Sequence, residues 1–267
     1  MKKILTIVCV CTCAMYTSYG QHLTHDVGLH FGTNTIQTDY GERGNFLSEY
    51  GNVGTSISLT HTMHFFNTGS RWATDQSFLS RLAIRSELNI VTGNKLKHFG
   101  KWAERDSYAA EQLRAMDGAI SFTSVGMQFE YYINRLGDFL YNSYDIKWNP
   151  YILAGVQYAF YNNKLRSEMG DWTTNRDVLP EKYRAEGALD IGNGTSLASS
   201  LGFGTRYNLS DGINLNFQFN WQYFFTDALD GLQADVSENR HNEWLVNMQL
   251  GVIYNLNYGR PLKLFDY

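Results

Sequence analysis

One pattern limits what this chain can fold into: apolar side chains alternate with small or polar ones over eight separate segments. The clearest segment is 213–225, in which seven apolar or aromatic side chains stand at every second position. The first five positions between them are Asn or Gln. Segment 53–65 repeats the pattern with Gly, Ser, Thr and His opposite its apolar residues. A period of two indicates a β-strand, because successive side chains of a strand point to opposite faces.

Six further segments carry the same period and complete a set of eight predicted strands. They centre on residues 27–32, 81–90, 125–131, 152–160, 197–209 and 244–256. Each can be extended to about nine residues or more, which is enough for a tilted strand to cross a bilayer.

Two architectures share this alternation. A soluble sandwich or lipocalin-like barrel points its apolar face inward, whereas an outer-membrane barrel turns that face to lipid and lines its lumen with the polar face. The polar face here is rich in Gly, Ser and Asn rather than Lys and Glu, which suits a narrow interior. The sequence therefore predicts an all-β fold, an antiparallel up-and-down transmembrane β-barrel of eight strands with long outer loops. A soluble all-β barrel is the alternative.

The predicted connections alternate in length. The short ones are 67–76, 135–146 and 210–212, and the long ones are 38–50, 91–118, 162–193 and 226–240. Outer-membrane barrels have short periplasmic turns and long outer loops, so every long connection lies outside if both termini are periplasmic. Aromatic side chains are then expected at two rims. The outer set is Tyr158, Phe160, Trp221, Tyr223, Phe225 and Trp244, and the inner set is Phe65, Tyr131 and Tyr254.

The loop 91–118 contains a predicted helix over 102–116. Trp102, Ala109, Leu113 and Met116 share one face of it. A single apolar stripe favours a lid that packs on the barrel rim. A helix that docks a partner is the alternative.

The first twenty residues are organised like a secretory signal peptide. Two lysines precede a short apolar run, and the segment ends in Ser-Tyr-Gly, with small residues at the −3 and −1 positions. We predict a signal peptide over 1–20 and the barrel over 21–267. A short buried helix, an N-terminal anchor, or a lipidated Cys9, Cys11 or Cys13 are the alternatives.

Removing residues 1–20 leaves 20 basic and 26 acidic residues, a net charge of −6, and no cysteine. Nucleic acid is not an expected partner, because phosphate binding needs a basic face. Disulfides, thiol nucleophiles and zinc–thiolate sites are excluded from such a mature chain.

Five charged residues share the inward-pointing parity of the predicted strands. They are Arg81, Arg85, Glu87, Glu130 and Arg206. Side chains fill the interior of an eight-stranded barrel, and an isolated charge there costs several kcal/mol. We therefore predict one ion-pair network and a closed lumen rather than a porin. A proton or ion path through these groups is the alternative.

Candidates for catalysis are few. His61 lies near Ser58 in the sequence, but alternation places His61 on the lipid face and Ser58 on the lumen face. We predict no catalytic residue, no cofactor and no enzymatic activity.

Two groups of residues consist of side chains that can bind metals. They are His22, His25 and His30, and Asp227, Asp230 and Asp235. The histidine spacings do not suit a zinc site on a strand, and the aspartates lack the spacing of a calcium loop. We predict no metal site.

Two stretches carry a family resemblance. The first is His-Asp-Val-Gly-Leu-His-Phe-Gly at 25–32, followed by Thr-Asp-Tyr-Gly at 38–41. The second is Phe-Thr-Asp-Ala-Leu-Asp at 225–230. They resemble the PorG family of Bacteroidota, the small outer-membrane barrels of the type IX secretion system, or a sister family of it. The motif residues are Asp39, Tyr40, Thr226, Asp227 and Asp230.

That resemblance implies a small barrel that is surrounded by outer-membrane lipid and contacts a periplasmic ring of secretion or gliding proteins. It brings no catalytic residue. Three functions are consistent with these features. The first is a non-enzymatic envelope component for assembly or secretion. The second is a surface barrel whose outer loops bind a ligand or partner. The third is a lipid-modifying enzyme.

Overall fold

The structure, a computed structural model, describes residues 24–40, 52–65, 78–141, 146–236 and 241–256. Eight antiparallel strands form one sheet, in which each strand pairs with its sequence neighbours and β1 pairs with β8 to close the barrel. The strands are β1 Thr24–Gln37, β2 Val53–His64, β3 Leu82–Lys97, β4 Met116–Tyr132, β5 Trp148–Ser167, β6 Asn193–Ser210, β7 Ile213–Phe224 and β8 Trp244–Asn255. The predicted eight-stranded up-and-down barrel is confirmed. The predicted signal peptide lies outside the described residues.

The apolar face of the sheet points outward. Leu250 and Phe217 pair across β7 and β8 and are exposed, whereas Gln249 and Asn216, one position away on the same strands, are buried. Such an exterior cannot face water over a whole barrel, but it matches the hydrocarbon layer of a bilayer, and the closed sheet leaves no unpaired edge in lipid. The protein is therefore an outer-membrane barrel, and the soluble alternative is wrong.

Aromatic rings on the outer wall meet at two levels. At the outer end Trp221 contacts Trp244, with ring centroids 6.4 Å apart. At the inner end Trp148 contacts Tyr207 at 4.7 Å, a pair that the predicted inner rim did not include.

The outer parts of β3, β4 and β5 invert the pattern of the membrane-spanning part. Leu96, Phe122 and Leu165 point inward and are buried, while Lys95 and Lys164 point outward and are exposed. Above the membrane the barrel is thus built like a soluble one, with apolar residues inside. On these three strands the outward-facing apolar residues stop before the strand does. The predicted loops 91–118 and 162–193 are therefore too long, and the observed connections are 98–115 and 168–192.

The predicted helix over 102–116 is also too long. The observed helix α1 spans Tyr108–Arg114 and is capped by Ser107, whose hydroxyl accepts a hydrogen bond from the backbone N–H of Ala110 at 3.3 Å. Trp102 lies outside the helix and is exposed. The buried Gln112 of α1 donates to the carbonyl of Asp177 at 2.7 Å, which ties α1 to the neighbouring outer loop.

A second helix, α2 Leu136–Tyr141, closes the inner end of the barrel. Its Leu136, Phe139 and Leu140 are buried against Tyr132 and Leu153 of the barrel wall. Three short 3-10 turns complete the described elements, at Phe78–Arg81, Arg176–Val178 and Glu181–Tyr183. None of the helices in the described ranges has the length and apolar character needed to traverse a bilayer.

Candidate functional site

The inner half of the lumen holds a buried charged cluster contributed by five strands. Its members are Asp26, His64, Arg85, Glu87, Glu130 and Arg206. Each is 5% exposed or less. Buried charges of this kind are tolerated only when they are paired and hydrogen-bonded.

Glu130 links the two guanidinium groups of the charged cluster. Arg85 Nη1 lies 3.0 Å from Glu130 Oε1, and Arg206 Nη2 lies 3.3 Å from Oε2. The hydroxyl of Tyr132 donates to the same Oε2 at 2.5 Å. Because Glu130 accepts from three donors, its removal leaves Arg85, Arg206 and Tyr132 each without one hydrogen-bond partner.

Two further carboxylates complete the pairing. Arg85 Nη2 donates to Glu87 Oε2 at 3.1 Å, and Arg206 Nη1 donates to Asp26 Oδ2 at 2.6 Å. His64 Nε2 also lies 2.6 Å from Asp26 Oδ2. The two arginines therefore each meet two carboxylates, which satisfies the bulk of their charge inside the barrel.

The structure brings together four of the five residues predicted for the lumen network and leaves out Arg81. Arg81 ends the 3-10 turn that precedes β3, so the strand alternation does not extend to it. Its guanidinium donates to the carbonyl of Ile133 in the turn after β4, at an exposed position. Asp26 and His64 were not assigned to the network. His64 lies on the polar face of the predicted segment 53–65, and extending the alternation of 27–32 by one residue places Asp26 on the inward face as well.

A layer of neutral polar side chains lies further along the lumen. Ser56 donates to Asn247 at 2.8 Å, and Gln249 donates to Ser58 at 2.6 Å. On the other side of the barrel Ser124 donates to Gln157 at 2.9 Å. These side chains are buried, so the middle of the barrel is filled by packed side chains.

The outer mouth of the lumen is closed by an apolar plug. Inward side chains of the strands meet residues of 172–191 and 229–236 from two outer loops there. Members of this plug include Ile36, Leu96, Phe122, Leu179, Leu229 and Leu232. All six are buried. The plug was not predicted, because it is built from strand ends whose alternation is inverted and from loops that carry no period.

The motif residues meet at this mouth. The backbone N–H of Asp39 donates to Asp230 Oδ2 at 2.8 Å, which joins the two resemblance stretches. Tyr40 is fully buried in the plug and packs on Gly118, where a Cβ atom would come within 2.6 Å of the Tyr40 ring. Thr226 accepts from the backbone N–H of Ala228 at 3.2 Å and so shapes the loop that carries Asp227.

Buried carboxyl groups gather beside that contact, outside the membrane-spanning part. Burial and the nearby Asp39 raise the pKa of Asp230 to about 8. Burial and the charge of Asp230 raise the pKa of Glu243 well above its usual range. Within the described part of the chain, the only hydrogen-bond partner of the buried Glu243 carboxyl is its own backbone N–H. Protonation of these groups therefore stabilises the closed mouth.

Stability of the mouth is expected to fall as the pH rises. Since the folded pKa of Asp230 lies above the usual 3.8, the folded protein holds more protons than the unfolded chain between pH 3.8 and about 8. The stabilisation is complete at the acidic end of that window and lost at the alkaline end. Glu243→Gln should change stability little at pH 4.5 and raise it at pH 8.5, because the amide carries no charge that must be buried when the carboxyl ionises.

Thermal unfolding of the unsubstituted protein and of Glu243→Gln at several pH values measures this difference in stability. Glu168→Gln, at an exposed carboxylate of the outer loop 168–192, is the matched control and should follow the unsubstituted protein. Parallel pH profiles for Glu243→Gln and the unsubstituted protein would contradict the assignment.

The histidines considered for catalysis and metal binding take separate positions. His61 is partly exposed on the lipid-facing wall and stacks on His25, with ring centroids 5.3 Å apart, while Ser58 is buried in the lumen. His30 is buried in the lumen within 3.2 Å of Asn216. In the described ranges, no group of three or more His, Cys, Asp or Glu side chains is arranged to hold a metal ion. His22 lies outside those ranges.

No protein-family model matches the chain, and no curated protein sequence does. Among solved structures the chain is similar to a major outer membrane protein from Thermus thermophilus, with 13% identity and a TM-score of 0.48 over 88% of this chain and 99% of that one. It is similar to Neisserial surface protein A, with 10% identity and a TM-score of 0.43 over 86% and 96%. It is also similar to the outer membrane enzyme PagL, with 10% identity and a TM-score of 0.35 over 86% and 98%.

Proposed function

We propose that the protein is a non-enzymatic component of the outer membrane that acts through its surfaces in envelope assembly or secretion, as the barrel of a type IX secretion or gliding machine does. The observation that carries this proposal is the filled lumen. The charged cluster, the neutral polar layer and the apolar plug follow one another along the barrel, and α2 closes the inner end. A barrel filled in this way is not a conduit, so its function depends on what it contacts.

A closed lumen makes a direct prediction for conductance. The purified protein in a planar bilayer should show no stable single-channel steps, because buried, packed side chains fill the lumen along the described strands. A porin reconstituted in the same bilayers is the positive control. Large, stable steps from the purified protein would contradict the closed lumen and reopen a transport function.

The inner end offers a surface for a periplasmic partner. Phe78 and Leu79, in the turn before β3, are 63% and 50% exposed, and Ile133, in the turn after β4, is 59% exposed. Arg81 joins the two turns through its bond to the carbonyl of Ile133. Exposed apolar side chains at a fixed position are typical of interaction sites.

Affinity purification of the tagged protein from its native membrane tests the proposal. Periplasmic proteins of an envelope machine should co-purify with it. The double variant Leu79→Ser/Ile133→Ser should reduce their recovery, whereas Met169→Ser, which removes an exposed apolar side chain at the outer end, should not. Absence of any periplasmic protein from the purified material would refute the assembly or secretion role.

The second candidate function is binding of a ligand or partner by the outer loops. It is favoured by the ordered outer end, where α1 and the loop 168–192 are joined through Gln112 and Asp177 above the plug. Replacing the exposed Thr173 and Thr174 with alanine should weaken binding of the partner that the intact protein captures at the cell surface. In this variant Trp172, whose indole N–H donates to the carbonyl of Leu165 at 3.0 Å, keeps the loop on the plug. Unchanged capture would exclude this part of the loop as the site.

A further inference from the structure

Four basic side chains form a patch on the outer wall of the barrel, just above the membrane. Lys95 and Lys97 project outward from β3, and Lys164 and Arg166 project outward from β5. The strand between them, β4, places the small Ala119 between Lys95 and Lys164. We call these four residues the basic patch. It stands out because the chain as a whole carries a net negative charge.

One acidic side chain lies within the basic patch. Asp117 on β4 is flanked by Lys97 and Arg166, and Lys97 Nζ lies 3.3 Å from Asp117 Oδ1. Lys97 is exposed and Asp117 is half-buried, and an ion pair this accessible to water contributes little stability. The patch therefore keeps an excess of positive charge, concentrated on the Lys95–Ala119–Lys164 row.

The position of the basic patch relative to lipid follows from β5. Tyr158 and Phe160 are the last exposed apolar side chains on this strand, and Lys164 follows four residues later. At about 3.3 Å per residue and a tilt of about 40°, the Lys164 backbone lies about 10 Å above Phe160. Lysine side chains extend over apolar surface and keep their ammonium group at the polar boundary. The ammonium groups thus reach the headgroup layer of the outer leaflet.

A depression of about 500 Å³ lies between the apolar wall and the basic patch. It is lined by Phe160 and by the hydroxyl-bearing side chains of Thr92, Ser121, Thr123 and Thr195. The pairing of β3 with β4 shifts register between Val91 and Asn94, at this level of the wall. The depression combines an apolar floor with hydroxyl groups. This combination suits the part of a lipid at which the acyl chains join the polar headgroup.

We propose that this wall binds an outer-leaflet lipid whose headgroup carries phosphate. Lys95 and Lys164 lie two strand spacings apart, about 10 Å between Cα atoms, on either side of Ala119, and both ammonium groups pair with the phosphate. The headgroup occupies the depression and its acyl chains lie along the apolar wall below. Charge complementarity and continuity with the lipid-facing surface identify a lipid as the occupant, because a soluble anion would leave the depression and the wall unused.

Native mass spectrometry of the detergent-solubilised full barrel, titrated with a diphosphorylated glycolipid such as lipid A, tests this site. The dephosphorylated form of the same lipid should bind much more weakly. Lys95→Gln and Lys164→Gln should each weaken binding of the phosphorylated lipid about fivefold, the factor that corresponds to about 1 kcal/mol for each basic side chain at an anionic lipid surface. Lys147→Gln, which removes an exposed lysine at the inner end of the barrel, should have no effect.

Two measurements use the unsubstituted protein and so do not depend on how well a variant folds. Equal binding of the phosphorylated and dephosphorylated lipids to the unsubstituted protein would overturn it. Displacement of the lipid by millimolar inorganic phosphate would also overturn it, because the site would then be one for free phosphate. Loss of binding as the salt concentration rises is the expected accompaniment of a charge-driven contact.

Discussion

Replacing Glu130 with alanine is expected to lower the free energy of unfolding by about 3 to 5 kcal/mol, because the change leaves buried charges without their partner. Glu130 is fully buried and accepts from Arg85, Arg206 and Tyr132. After truncation Arg85 retains Glu87 and Arg206 retains Asp26, so each guanidinium loses one of its two carboxylates. Urea unfolding of the protein in phospholipid vesicles measures the difference.

Glu130→Gln is the matched variant for this experiment. The glutamine keeps the side-chain volume and one acceptor oxygen but removes the negative charge. If the packing of this side chain contributes to stability, Glu130→Gln should lose less stability than Glu130→Ala. If only the charge contributes, the two variants should lose similar amounts. Ser199→Ala, on the outward face of β6, is a neutral control. Equal stability of Glu130→Ala and the unsubstituted protein would contradict a dry, paired charged cluster.

Replacing Phe217 with arginine is expected to cost about 2 to 4 kcal/mol, because it places a charge on the lipid face near the middle of the bilayer. Phe217 pairs with Leu250 of β8 and Thr205 of β6, and both it and Leu250 are exposed on the outer wall. The penalty should decrease for the same change at positions nearer either rim. Folding into lipid vesicles, followed by urea unfolding, gives the values.

Asn216→Ser provides the comparison on the lumen side of the same strand. Asn216 is buried and accepts from the hydroxyl of Tyr151 at 3.0 Å, so its replacement by a smaller polar residue should be mild. If Phe217→Arg and Asn216→Ser fold with comparable yields and stabilities, the assignment of the two faces is wrong.

The number and orientation of the strands could be predicted because lipid restricts every outward position. Outward side chains such as Phe217 and Leu250 must be apolar over the full width of the hydrocarbon layer. Because every second side chain of a strand points outward, apolar residues recur in the sequence with a period of two. The constraint ends where the membrane ends. On β5 the outward residue Phe160 is apolar, but further along the strand the outward residue is Lys164 and the apolar Leu165 points inward. A rule that expects apolar residues on the outside therefore places the end of this strand too early.

The residues of the charged cluster were predicted only from their inward position in the alternation of each strand. That prediction failed at the strand ends. Arg81 has the expected parity but belongs to a turn, whereas Asp26 has the same parity on β1 and takes part. Which carboxylate meets which guanidinium depends on the shear of the closed barrel, a property of the whole sheet that no single strand contains.

The mouth contact between Asp39 and Asp230 joins positions 191 residues apart. Both residues belong to loops, which have no period from which a contact could be inferred. The family resemblance singled out the two stretches but implied nothing about their distance. The raised pKa values of Asp230 and Glu243 follow from burial in the plug, which alternation does not reveal.

Single nitroxide labels along β5 test most directly that the barrel is apolar outside in the membrane and apolar inside above it. The predicted mature chain lacks cysteine, so one cysteine at a time can be introduced and labelled in protein folded into vesicles. We expect labels at 154, 156 and 158 to be relaxed by oxygen, labels at 164 and 166 by a water-soluble nickel chelate, and labels at 157, 161 and 165 by neither. Strong relaxation by the nickel chelate at 154–158 would contradict the membrane barrel described here.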